Sequence, residues 1–131
     1  MPLFTLAQLL GLEVFWRDDM ADAGSWHPEQ QAISLRSDLT ETEVRSVLAH
    51  ELGHAVLGHV CDGARAERAA DEWAANMLLG AQMVADCAQR WPESPEKWCD
   101  ELQVTPDILR AWMSQANNYA LASEKLRLAS A

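Results

Sequence analysis

No run of about 18 apolar residues occurs in the 131-residue chain, so no segment is built to cross a bilayer as a helix. Met1 to Trp16 carries no Lys or Arg and no small-residue cleavage site, so it does not read as a secretory signal. Together these absences give the expectation of a cytoplasmic protein. Basic residues are scarce: 10 Lys and Arg face 20 Asp and Glu, for a net charge of −10. Such a surface is poorly made for gripping phosphate backbones, which argues against direct nucleic-acid binding, and it suits a partner that is itself basic. Cysteine is limited to Cys61, Cys87 and Cys99, an odd number with no paired-ligand spacing. In a reducing compartment these read as packed free thiols. Cys61, two residues after His59, is the one place where a second metal site is conceivable. No internal repeat or low-complexity tract is present.

What is present suits one folded domain. Hydrophobic residues make up 49% of the chain, enough to close a core. Thr5 to Gly11 reads as a short amphipathic helix ended by glycine, and Glu13 to Arg17 as a strand. Ser25-Trp26-His27 and Ala32-Ile33-Ser34-Leu35, with a turn at Pro28-Glu29-Gln30 between them, read as a hairpin. Thr40 and Glu43 form a capping box that opens a helix running to about Gly58. Further helices are expected over Arg65–Leu79, Ala81–Arg90 and Pro95–Leu102, and from Thr105 through Trp112, with Asn117–Ala131 continuing or fraying. A small N-terminal antiparallel sheet packed on a helical core, with a helix-rich C-terminal half, makes an α+β fold. Met77 and Met83 read as core filling, and the six tryptophans as core or rim aromatics.

The chemistry is concentrated at His50-Glu51-Leu52-Gly53-His54. Residues four apart on a helix differ by about 40° in azimuth, so both imidazoles project from one face. Two neutral imidazoles at that spacing can grip one zinc ion, and Glu51 beside them can act as general base on water. Val44, Leu48, Leu52 and Ala55 gather on the other side, leaving the histidine face turned toward a second element.

A catalytic zinc needs a third protein ligand and one open position. His59 has the wrong spacing, since on a continuing helix it would point about 140° away from His54; it reads as a helix-end residue. Glu67 is the better candidate. Glu67 and Asp71 share one face of the next helix, so Glu67 can ligate while Asp71 accepts the second ring N–H of His50 or His54. The small Ala74 on the same stripe lets the two helices approach.

H-E-x-x-H followed by E-x-x-x-D resembles the gluzincin arrangement of zinc peptidases. More narrowly, the chain resembles the ImmA/IrrE family of metallopeptidases over about Leu6 to Trp112. The likeness is carried by Leu9 to Val14, Ala32 to Leu35, Arg45 to His54 and Glu67 to Leu79. Where this family often has Met-Pro after its paired leucines, Leu78-Leu79 is here followed by Gly80-Ala81. The resemblance implies a zincin-like metallopeptidase, read here as a single domain over residues 1–131, within which 95–116 reads as a helix-turn-helix-like pair. It implies zinc on His50, His54 and Glu67, with Glu51 as the base. It further implies an intracellular protease that cuts a helix-turn-helix repressor, in the setting of phages and mobile elements. A basic DNA-binding repressor complements the acidic charge.

Two rivals stand beside hydrolysis. One is a metal-binding module without turnover that regulates by sequestering a protein partner. The other is a DNA-binding protein using Pro95 to Gln115, disfavoured by the charge. For a peptidase, the strand Ala32–Leu35 is the expected edge for substrate, and His27 and Tyr119 are the polar candidates for stabilising an oxyanion.

Overall fold

A computed structural model describes residues 2–60 and 63–130. Its elements in chain order are α1 (Leu3–Leu9), β1 (Glu13–Arg17), β2 (Gly24–His27), β3 (Ala32–Arg36), α2 (Glu41–Leu57), α3 (Ala64–Leu78), α4 (Ala81–Arg90), α5 (Pro95–Leu102), α6 (Pro106–Met113) and α7 (Ala116–Ala129). The class is α+β, a small sheet followed by helices. The first helix starts two residues earlier than the sequence suggests, because Pro2, extended at ψ 141, serves as its N-cap.

The sheet is mixed, which corrects the expectation of an antiparallel one. Its order is β1-β3-β2. The hairpin is present, with Trp26 opposite Ile33, but β1 pairs parallel to β3, Val14 beside Ile33. The reason lies in the strand compositions. Ala32 to Leu35 are all buried, so β3 needs a neighbour on each edge. Four of the five β1 residues are exposed, which suits an edge. The connection 18–23 carries the chain across to the far side of β3, where the backbone of Arg36 donates to Ala23 at 2.9 Å.

Two apolar clusters flank α2. Leu12, Ile33, Leu35, Leu48 and Leu52 gather on the sheet side, with Trp26 and Trp73 packed against them. Ala49, Ala74, Leu78, Val84, Val104, Ile108 and Trp112 form the helical cluster. The apolar residues of α6, Ile108, Leu109 and Trp112, are thus spent inside the fold. Met77 and Met83 are exposed, against expectation. Met77 sits one position off the buried Ala70–Ala74–Leu78 stripe, and a one-residue offset turns a side chain by about 100°. Cys87 is buried and Cys99 half-buried, both as free thiols. Cys61, with its conceivable second metal site, lies outside the described residues.

Candidate metal centre

The helix that bears the motif is fixed at both ends. The Thr40 hydroxyl accepts from the Glu43 backbone at 3.2 Å, and the Glu43 carboxylate accepts from the Thr40 backbone at 3.0 Å. At the other end Gly58 takes φ +72 and turns the chain out of the helix. Between them, Gly53 sets how close α3 can come. A Cβ there would fall 2.9 Å from the Ala70 carbonyl oxygen and 3.3 Å from Trp73. Gly53 against Ala70 permits the approach, and the small Ala74 is buried in the cluster that also holds Ala49 of α2.

The close approach brings four side chains together. His50 Nε2 lies 2.8 Å from Glu67 Oε2, His54 Nε2 lies 3.2 Å from Glu67 Oε1, and the two Nε2 atoms are 3.1 Å apart. His50 Nδ1 lies 2.7 Å from Asp71 Oδ1. A carboxylate can only accept, so His50 donates Nδ1–H to Asp71. His50, Glu51 and His54 also offer ligand atoms within 4.8 Å of one another.

Zinc bonds of about 2.0–2.2 Å in a tetrahedron give edges of roughly 3.3–3.6 Å between donors. The 2.8–3.2 Å spacings among the His50 and His54 Nε2 atoms and the Glu67 oxygens are a little tighter than that. Lone pairs of three side chains converge on one point. One proton on His50 bridges some of these contacts, whereas one divalent ion satisfies all three. The donor set fits a metal ion.

Glu51 is 7% exposed and sits beneath β2. Gly24 makes room for it, since a Cβ there would fall 3.2 Å from Glu51 Cγ and 2.5 Å from Val47 Cγ1. The site opens into a cleft of about 600 Å³, walled by Gly24, Ser25 and Trp26 of β2 on one side and by Thr105, Asp107 and Ile108 on the other. The free edge beside the site is therefore β2, not Ala32–Leu35, because β3 is paired on both sides. Neither expected oxyanion candidate lines the cleft: His27 Nε2 is engaged with Ser34 Oγ at 2.9 Å, and Tyr119 is exposed on α7.

The model of the IrrE N-terminal-like domain, a peptidase family, matches residues 7–112. The chain belongs to this family. A comparison with curated proteins gives no match. Membership supports a metallopeptidase-type fold for the IrrE-like domain, and its motif residues are the ones that converge here. Among the described residues no helix is long and apolar enough to cross a membrane.

The electrostatics of this IrrE-like site follow from its crowding. Burial works against the charged form of His50. The Asp71 hydrogen bond and the Glu51, Asp71 and Glu67 charges outweigh it and push the imidazole up to about 9. His54 moves the other way, through burial and then the neighbouring His50 charge. The metal-free site thus holds its proton on His50 and a neutral His54. A metal must displace that proton. Its affinity should rise about tenfold per pH unit from pH 6.5 toward 9 and level off above, with roughly one proton released at neutral pH. Calorimetric titration with zinc in buffers of differing ionisation enthalpy measures both; a flat affinity across that range would contradict the assignment.

His59 is the helix-end residue that the sequence suggests, yet it lies against His54. His59 does not continue the helix. Its backbone donates to the His54 carbonyl at 3.0 Å, and its Nδ1 lies 2.8 Å from His54 Nδ1. The signal was Gly58, whose positive φ folds the following residue back along the helix end.

Proposed function

We propose that the protein is a zinc-dependent endopeptidase of the cytoplasm that hydrolyses a peptide bond in a protein partner. The observation that supports this best is the convergence of His50, His54 and Glu67 at the floor of an open cleft with Glu51 beside them. His50, His54 and Glu67 would hold the ion, and Asp71 would orient His50. When bound, zinc supplies a Lewis acid that acidifies water and polarises a carbonyl. Glu51 accepts the proton of the attacking water and passes it to the departing amine nitrogen. The free edge of β2 offers backbone groups to an extended substrate, which would lie along the cleft as an added strand.

A basic helix-turn-helix repressor is the partner class we favour, in the regulation of a phage or mobile element. The net charge of −10 supports it, since it would draw such a protein in. The test is direct. Purified protein loaded with zinc is incubated with a set of unstructured peptides and with candidate repressors, and products are read by mass spectrometry. Internal cleavage that stops on chelation and returns with zinc supports the reading. Tight zinc binding and stable partner binding without any cleavage would replace it with the sequestering module.

A further inference from the structure

We propose that His59 is a positioning residue for His54: its Nδ1 accepts the His54 Nδ1–H and thereby holds His54 with the Nε2 lone pair turned to the metal. The inference rests on the metal-centre reading and adds a residue to it. His54 Nε2 faces His50 and Glu67, while Nδ1, on the opposite side of the ring, faces His59 at 2.8 Å. Two ring nitrogens that close must be one donor and one acceptor. If His54 presents a lone pair at Nε2, its proton is on Nδ1, so His59 Nδ1 accepts and carries its own proton on Nε2. His50 already has such a partner in Asp71 at 2.7 Å. His59 does for the second histidine what Asp71 does for the first.

His59 is itself held from two sides. Its backbone N–H donates to the His54 carbonyl at 3.0 Å after the left-handed Gly58. Its carbonyl accepts from the Trp26 indole N–H at 3.0 Å. The second contact ties His59 to β2, the strand that walls the cleft. The contact with His54 is on the ring side away from Glu67, which gives His59 a place behind the ligand and not among the ligands.

The test measures zinc affinity of the full chain by competition with a chromophoric chelator. His59→Phe, which keeps a ring and removes the acceptor, should weaken zinc binding by about 10- to 100-fold. His59→Asn, whose side-chain oxygen can occupy the place of Nδ1, should recover most of that loss. A His59→Phe protein that binds zinc within about twofold of wild type overturns the inference, and so does a folded His59→Asn protein as weak as His59→Phe. Long-range proton–nitrogen spectra of the zinc-loaded wild type give an answer without any variant. They should place the protons on His54 Nδ1 and His59 Nε2, and a proton on His59 Nδ1 instead overturns the inference. Failure of the wild type to bind zinc would overturn the metal-centre reading itself, whereas zinc binding without peptide cleavage would leave the role of His59 intact.

Discussion

Glu51→Gln should lower peptide hydrolysis by about two to four orders of magnitude while leaving the metal in place. Glutamine has the shape of glutamate, so the tight fit of this side chain against Gly24 is kept. What is lost is the ability to take a proton. The metal donors are other residues, so zinc should stay bound, with its affinity level or slightly lower for the loss of one nearby negative charge. Single-turnover hydrolysis and metal content, measured on the same preparation, separate the two effects. Undiminished turnover would remove Glu51 from the role of base.

Gly53→Ala should damage the site from a distance. The new methyl carbon would fall 2.9 Å from the Ala70 carbonyl oxygen and 3.2 Å from Ala70 Cα. Both belong to the α3 backbone, which cannot rotate away as a side chain can. The helices must part, at a cost of about 1–3 kcal/mol of stability. Glu67 and Asp71 ride on α3, so the same movement draws them away from His50 and His54. Zinc affinity should fall by at least about tenfold, an effect of the size seen when a ligand's support is removed. Gly80→Ala is the control: nothing lies within 4 Å of its added carbon, so stability should stay within about 0.5 kcal/mol and affinity should not change. Thermal unfolding and chelator competition read both proteins. Normal affinity in folded Gly53→Ala would show that helix spacing does not govern the site.

The features legible in the sequence are those with a local period. His50 and His54 follow from helical spacing, Glu67 and Asp71 from the same spacing on the next helix, and the Thr40–Glu43 cap from its pattern. The hairpin was legible as two short runs around a turn. What stayed hidden depends on residues distant in sequence or on single backbone angles. The parallel pairing of β1 with β3 is decided by which strand must be buried twice, and a lone strand does not declare that. The site-facing edge passed to β2 for the same reason. The contact of His59 with His54 stayed hidden because helical spacing would turn the two about 140° apart, whereas Gly58, at φ +72, ends the helix and folds the next residue back. The part of Gly53 in the approach of α3 stayed hidden, because the point where two helices cross is set by their tertiary angle and not by a stripe on one of them.

The two jaws of the cleft are anchored in separate clusters. Trp26 on β2 packs with the sheet-side residues, and Ile108 on α6 is part of the helical cluster. The donors sit between them on α2 and α3. Both clusters also draw on the donor helices, Leu48, Leu52 and Trp73 in one and Ala49, Ala74 and Leu78 in the other, so a substitution that loosens either cluster alters the aperture offered to a polypeptide and the cage around the ion together. Tolerance for bulky substrates and grip on the metal are consequently tied to one another as such a sequence diverges.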